Sequence, residues 1–369
     1  EFLDRCRKKT DYLRELNRSL GRSTMGLAWK NRFLESRDAV MLQFEEMAGI
    51  LGEFSGQMEQ AEDVTETLLP AVRMTFRKHR VVLEDLLVLK YGDGHREAFL
   101  TARTGNGRCV TVKDAAALFG QAVGSAFVPA RNGKTLITRN SSMVRLIEKG
   151  SYRLLIGSAK TPKEGEEISG DNYMFRDTLP GQVALSLSDG MGSGPAAGAD
   201  SERVMELAEQ LLDTGFSARS TLKLINTVLL LNGMGDRPAT MDLGLVNLYT
   251  GVLEMMKLGA AASFLLPDRR CGGEAEVLES ETVPAGVLNP VEPVMISRKL
   301  WDGDKIIMVS DGVLDAMPGV EKEKAFREFL DGLPDAGVQE TAEMILTFAL
   351  SFEGEPRDDM TVLVGGIYG

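Results

Sequence analysis

The chain has 369 residues, 43% of them hydrophobic, and a formal net charge of -12. That length can bury a full core and suggests two domains. The acidity argues against a nucleic-acid backbone as main partner, because such binding needs a basic face. Cys6, Cys109 and Cys271 share no close spacing, so they form no zinc or redox motif and fit a reduced cytosolic compartment. The two histidines, His79 and His95, read as surface or turn residues. They leave the C-terminal part without an imidazole for a zinc site or a Ser-His-Asp triad, unless one arrives from the N-terminal part. No apolar run reaches the ~18–20 residues needed to cross a bilayer. No signal peptide follows Glu1. The expectation is a fragment of something longer, with any membrane segment in the missing part.

In chain order, roughly the first 80 residues are expected to be helical. Val40, Phe44, Met47, Leu51, Phe54 and Met58 alternate spacings of four and three, an apolar stripe on one helix face. The stripe suits a helix packed on its own domain, with a coiled coil as the alternative. Pro70 marks an N1 position or a kink in the next helix. Residues 81–89 and 96–102 are strand-like around Gly92-Asp93-Gly94, which predicts a hairpin. Residues 112–122 are helical in pattern and 134–138 strand-like. This half carries no constellation of reactive side chains. It is expected to be a regulatory or interaction domain, with a boundary near Gly150.

Beyond that boundary, 152–158 predicts a strand and 160–170 is polar and Gly-rich. Helices are predicted at 201–212 and 217–231, joined by Asp213-Thr214-Gly215. Strands follow at 243–249, 252–257, 263–266, 305–310 and 361–365, the first two joined through Thr250-Gly251. Hairpins and meanders with few βαβ units indicate an α+β antiparallel sandwich, not a doubly wound parallel sheet.

Two apolar strands end alike. Residues 183–187 run into Ser188-Asp189-Gly190, and 306–309 run into Ser310-Asp311-Gly312. A carboxylate at a buried strand end is costly unless paired or bound to a metal, and glycine after it lets the backbone turn sharply and approach a ligand. Asp171, before an aromatic segment, and Asp358-Asp359, before the last strand, add further acids. Such hard oxygen donors suit Mg²⁺ or Mn²⁺ over zinc or copper. Each Asp taken alone has an ordinary reading as a turn or cap.

The order of Gly170-Asp171, the 188–194 loop, 240–257, Pro284-Ala285-Gly286, 302–311 and 358–361 resembles the PP2C-like (PPM) serine/threonine phosphatases, best in their bacterial sporulation and stress-response branch. The resemblance spans roughly 152–369. It implies a PP2C-like antiparallel β-sandwich flanked by helices at 151–369, preceded at 1–150 by a smaller, mainly helical regulatory domain with a short β element. It also implies a two-cation site. Asp189 bridges both ions, Asp171 and the Gly190 carbonyl complete one, and Asp311 and Asp358 hold the other. Asp358 is preferred to Asp359 because the family ligand is the first residue of that run. Asp189 and Asp171 then serve catalysis, with manganese favoured and magnesium the alternative. Water shared by two cations ~3.5–4 Å apart loses a proton near neutrality and attacks phosphorus in line. Met191 stands where eukaryotic members carry histidine, which leaves the leaving-group acid to water or unassigned, and no arginine matches their phosphate-binding residue.

The resemblance further implies a substrate: the phosphoserine form of a small anti-sigma-factor antagonist, whose dephosphorylation frees a sporulation sigma factor. Self-association or contact with a cell-division protein would run through the N-terminal region. This part would be cytoplasmic, with the full-length protein anchored at the division septum. Two other readings are a non-catalytic phosphatase-like scaffold and a dinucleotide-binding protein, the latter because Gly192-Ser193-Gly194-Pro195-Ala196-Ala197 satisfies Gly-x-Gly-x-x-Ala. The first reading fits poorly because no metal ligand is missing. The second lacks an acidic residue ending a second parallel strand. The two helices after the Asp189 loop are expected to couple the N-terminal domain to metal affinity.

Overall fold

The structure is a computed structural model. It describes residues 37–369 except 38, 39, 42, 46, 53, 54, 57, 106–108, 131, 132, 191, 232–237, 271, 280, 281, 289 and 290. Phe54, Met191 and the chain before 37 therefore lie outside the described residues. The described part of 40–60 is helical, but Val40, Phe44, Met47, Leu51 and Met58 are exposed. The stripe was expected to pack on its own domain; these five side chains do not.

The first group of elements is β1 (Glu62–Asp63), α1 (Thr65–Lys78), β2 (Val81–Lys90), β3 (Arg96–Thr104), β4 (Val110–Thr111), α2 (Val112–Val123), β5 (Phe127–Pro129), β6 (Leu136–Ile137) and β7 (Ser142–Glu148). β2 and β3 form the hairpin expected from their turn signal, and the sheet grows around them to the order β1-β2-β3-β7-β5. α1 lays Val72 and Phe76, one turn apart, on that sheet. Pro70 is the sixth residue of α1, so it occupies the helix interior and not N1. α2 starts where Thr111 accepts from the Asp114 amide at 3.1 Å and stops at Gly124, which is left-handed at φ 82°.

The rest comprises β8 (Arg153–Thr161), β9 (Asp171–Asp177), β10 (Gln182–Asp189), α3 (Pro195–Asp213), α4 (Ala218–Leu231), β11 (Met241–Asn247), β12 (Val252–Leu258), β13 (Ser263–Leu266), β14 (Glu276–Leu278), β15 (Val294–Lys299), β16 (Lys305–Val309), α5 (Asp311–Asp315), α6 (Lys322–Gly332), α7 (Val338–Glu353) and β17 (Met360–Tyr368). Two antiparallel sheets result, β15-β12-β11-β10-β9 and β14-β13-β16-β17-β8. Their facing surfaces bury Val183, Leu185, Leu187, Val246, Met255, Ile306, Met308, Leu363 and Ile367 in one core. α3 and α4 cover the outer face of the first sheet through Val204, Ala208, Leu222 and Ile225. α5, α6 and α7 cover the outer face of the second through Val313, Phe326, Leu330, Ala342 and Ile345.

β10 is buried on both faces, yet Ser186 and Ser188 sit between its apolar residues. Their hydroxyls donate to the carbonyls of Asp242 at 2.6 Å and Thr240 at 2.8 Å, which removes the cost of burying them. α3 begins six residues earlier than its pattern suggests, because Pro195 opens it where no N–H is needed. Its small first turn lets it press against the loop before β9; a Cβ on Gly198 would stand 3.0 Å from the Ser169 carbonyl oxygen. The Gly-x-Gly-x-x-Ala pattern thus starts a helix packed on an antiparallel sheet, not a βαβ turn.

The two histidines fall differently. His79 caps α1 as expected of a turn residue. His95 is stacked between Tyr91 at 4.6 Å and Tyr249 at 4.5 Å and hydrogen-bonds Asp93, so it belongs to a contact between the first group of elements and the β11–β12 hairpin. The Tyr249 hydroxyl donates to the Glu148 carbonyl at 2.9 Å in the same contact. Among the described residues no helix is long and apolar enough to cross a membrane.

Candidate metal centre

Strand register brings the first two aspartates together. Asp171 opens β9 and stands directly opposite Asp189, the last residue of β10. Directly opposed residues project to the same face. Because Val183, Leu185 and Leu187 point between the sheets, Asp189 and Asp171 point there too, at one end of the sandwich. On the facing sheet, Thr361 shares the inward face of Leu363, and Ser310 follows inward-facing Met308 two residues on. The Ser310 hydroxyl accepts from the Thr361 amide at 2.9 Å, joining β16 to β17 just below Asp311 and Asp358. Asp311 is the first residue of α5 and is exposed; Asp358, in the bend before β17, is also exposed.

Electrostatics show that the four acids act on one another. The Asp189 carboxyl is pushed up to about 9, by burial first and then by the charges of Asp171 and Asp311, with Asp358 adding to them. Asp171 is pushed up to about 6 by burial, against the lowering influence of the Thr361 and Ser310 hydroxyls and Asp189. Asp311 is raised by loss of surrounding water and then by Asp358. Asp171 is 1% exposed, and neither of its carboxylate oxygens has a hydrogen-bond partner. The Thr361 and Ser310 hydroxyls are near but form no hydrogen bond to it, and a buried carboxylate left unbonded is costly. Such oxygens, clustered with like charges, are the donor set a hard divalent cation takes. Among the described residues no three acidic, histidine or cysteine side chains already close into a coordination shell. The fit to cations therefore rests on donor chemistry and mutual repulsion.

The backbone around these acids is tied from several sides. The Gly190 amide donates to the Gly170 carbonyl at 3.4 Å, and the Asp189 amide to the Thr240 hydroxyl at 3.2 Å. Isolated bridges run from Gly190 to Ala239 and on to Ala285, so the Pro284-Ala285-Gly286 segment supports the Asp189 loop from behind. Asp359, 3% exposed, accepts from the amides of Lys163 at 2.8 Å and Gly170 at 2.7 Å. Its carboxylate is thereby committed to holding the loop that delivers Asp171. Asp359→Ala is expected to cost about 3 kcal/mol of stability, since two amides lose a charged acceptor. It should also weaken activity through Asp171. Urea unfolding and turnover measured together check this, and an unaltered midpoint would refute the latch.

Lys160 was not singled out in the sequence, where it looked like the start of a polar loop. It lies opposite Thr361 in register and so faces inward, and its ammonium donates to the Asp171 carbonyl. Burial pushes its pKa down, while Asp171 and Asp359 oppose that shift. The alternation along β8, with Leu154 and Ile156 inward, was the available signal.

Known proteins share both sequence and fold. Residues 180–367, more than half of the chain, match the sequence model of stage II sporulation protein E (SpoIIE). The chain is 30% identical over 216 residues to stage II sporulation protein E of Bacillus subtilis (strain 168), covering 58% of this chain and 26% of that protein. It is 24% identical over 337 residues to the Priestia megaterium protein of the same name, covering 91% of this chain and 57% of the relative. The chain thus spans between about a quarter and just over half the length of these relatives. The solved PP2C phosphatase domain and regulatory-domain fragment of B. subtilis SpoIIE superposes with a TM-score of 0.60 at 22% identity, covering 91% of this chain and 98% of that one. The RsbU and RsbW domains of Rv1364c from Mycobacterium tuberculosis superpose with a TM-score of 0.51 at 18% identity, covering 58% and 60%. The antiparallel sandwich is therefore the PP2C fold, and the chain belongs to the stage II sporulation protein E family.

Proposed function

We propose that this chain is a divalent-cation-dependent protein serine phosphatase, acting on the phosphoserine form of a small anti-sigma-factor antagonist to free a sporulation sigma factor. The observation that carries this reading is that Asp171, buried with no hydrogen-bond partner for either carboxylate oxygen, stands directly opposite Asp189 at the end of the sandwich. In this reading residues 151–369 form the phosphatase domain and 1–150 a regulatory domain.

Asp189 would hold two cations, Asp171 and the Gly190 carbonyl completing one and Asp311 and Asp358 the other. Manganese suits these donors best, with magnesium the alternative. Bound there, the cations would lower the pKa of a water toward neutrality and offset charge on the phosphoryl oxygens. The chain's own part is to orient and exclude. Buried Asp171 and half-buried Asp189 fix the inner side, while exposed Asp311 and Asp358 border the open side where a phosphoserine segment enters. Lys160 brings a positive charge beside Asp171. The presence of every expected ligand position in order supports the catalytic reading over a non-catalytic scaffold.

Regulation would use α3 and α4. The Ser201 hydroxyl on α3 donates to the Gly170 carbonyl at 2.5 Å, and the Asn172 side chain donates to the Gly198 carbonyl at 2.9 Å, so α3 grips both neighbours of Asp171. On α4, Asn226 accepts from the Gly286 amide at 2.8 Å and donates to the Leu288 carbonyl at 2.9 Å, reaching the segment behind Gly190. A Cβ on Gly215, between the two helices, would stand 3.9 Å from Ile50, so the N-terminal region reaches this turn. A shift of either helix would move a proposed ligand. The N-terminal region would also serve self-association or a cell-division partner, with the whole protein anchored at the septum and this part on its cytoplasmic side.

The test is phosphate release from a phosphoserine antagonist protein by the full chain. Release that needs manganese and stops with chelator is the expected result. No release with either manganese or magnesium would overturn the catalytic reading.

A further inference from the structure

One layer beneath the four carboxylates lies a polar group that the proposed reaction does not use. Asp242 on β11 pairs in register with Leu187 of β10 and Lys257 of β12. Leu187 faces the space between the sheets, so Asp242 and Lys257 face it as well. Ser263, opposite inward-facing Met308, enters the same layer from the other sheet. Lys257 Nζ donates to Asp242 Oδ2 at 2.5 Å and to Ser263 Oγ at 2.9 Å, and the Ser263 hydroxyl donates to Asp242 Oδ2 at 2.5 Å. Lys257 and Ser263 are 0% exposed and Asp242 is 1% exposed. A buried ion pair gives no stability advantage over well-packed apolar side chains. Its position invites a role in the site above it.

A second observation supplies that role. Both donors engage Oδ2, and Asp242 Oδ1 is buried with no hydrogen-bond partner. Asp242 also lines a small, partly open cavity of about 30 Å³ together with Asp189, Thr240, Ala261, Ser310 and Asp311. One water needs roughly 10–15 Å³ and two to four polar partners. Carboxylates and hydroxyls on these walls provide them.

We propose that Asp242 is a positioning residue for Asp189, acting through a water that Asp242 Oδ1 holds in this cavity and that donates its other hydrogen to the Asp189 carboxylate. Lys257 and Ser263 clamp Oδ2 of Asp242, which leaves Oδ1 as the oxygen available to take the water. The water in turn sets the rotation of Asp189, the residue asked to present both oxygens to cations. This inference rests on the reading of Asp189 as a cation ligand.

Calorimetric titration of manganese into chelator-treated full chain tests it, alongside thermal unfolding without metal. Asp242→Asn with Lys257→Gln keeps an oxygen at the cavity, and its affinity is expected to stay within about threefold of the parent. Asp242→Leu with Lys257→Met removes that oxygen, and Ala261→Val narrows the cavity at another of its lining residues while leaving Asp242 and Lys257 unsubstituted. Each is expected to weaken manganese binding about tenfold or more, the usual scale for residues that orient a ligand. Ala261→Val should do so with the metal-free melting temperature held within a few degrees, and it decides the matter if the Leu–Met pair does not fold. Undiminished affinity in Ala261→Val overturns the proposal. So does equal loss in the Asn–Gln and Leu–Met pairs, which would make charge and not the water responsible. Absence of manganese binding by the parent chain would instead overturn the phosphatase reading.

Discussion

Asp189→Asn is expected to lower kcat by about 10³-fold or more, because it takes one of two bridging oxygens from the proposed cation pair. The same substitution is expected to raise the melting temperature of the metal-free protein at pH 7.5. The two signs have one cause. In the fold the Asp189 carboxyl is pushed up to about 9, against 3.8 in the unfolded chain. Between those values the native state binds a proton that the unfolded chain has released, so stability falls as pH rises through this window. Below the lower value both states are protonated and the penalty is absent. Asparagine carries no charge at any of these pH values and escapes it. The gain should therefore be negligible near pH 3 and grow toward pH 8, reaching roughly 5 °C for a chain of this size. Manganese should reverse the order, since a ligand that binds only the native state stabilises the parent and not the variant. Melting curves from pH 3 to 9, with chelator and then with manganese, check all of this. A variant with full activity, or one less stable than the parent without metal at pH 8, would contradict the assignment of Asp189.

Much of this site was legible because its parts are local. Strand, serine, aspartate and glycine follow one another at 183–190 and at 306–312, and the cost of a carboxylate at a buried strand end can be argued from sequence. What could not be read were relations across the sheet. That Asp171 stands opposite Asp189 is a matter of register, fixed by how β9 pairs with β10. The commitment of Asp359 to Lys163 and Gly170 joins segments nearly two hundred residues apart. Asp358, its neighbour, accepts only from the adjacent Asp359 amide, at 2.9 Å, among the described residues. Lys257 looked like the polar end of a strand, and only the pairing with β11 and the facing sheet show it buried against Asp242 and Ser263. Other omissions had a signal. Val338, Ala342, Ile345 and Ala349 recur at spacings of four, three and four, the period of a helix laid on a sheet, and α7 is such a helix. The sandwich was expected from its hairpins, and every strand pairing within the two sheets is antiparallel.

Of the glycines after the two strand-end aspartates, Gly312 is the more telling: Gly312→Ala should cost about 2 kcal/mol of stability and weaken manganese binding about tenfold or more. From sequence, such a glycine permits a sharp turn or a close approach to a ligand. The structure assigns it a different neighbour. Neither Gly190 nor Gly312 has a positive φ, so dihedral freedom is not their purpose. A Cβ on Gly312 would lie 2.2 Å from the Asp359 carbonyl oxygen and 3.4 Å from Asp358 Cβ. A Cβ on Gly190 would lie 2.5 Å from the Ala197 carbonyl oxygen in the first turn of α3. Each glycine lets a second segment of backbone close on the aspartate before it, the 358–359 bend in one case and α3 in the other. Alanine at 312 must push that bend outward. Asp358 would then move away from Asp311, separating two acids that the proposed site needs on one cation, and the Asp359 latch on Gly170 would loosen with it. Gly332→Ala is the matched control, since no atom lies within 4 Å of a Cβ built there. It sits in α6 with ordinary helical backbone, so alanine should be neutral or stabilising by about 0.5–1 kcal/mol. Unfolding midpoints and manganese titrations on both variants separate backbone crowding at the site from loss of glycine in general. If Gly312→Ala bound manganese as tightly as Gly332→Ala, close approach of the 358–359 bend would not be what the Ser310-Asp311-Gly312 sequence provides.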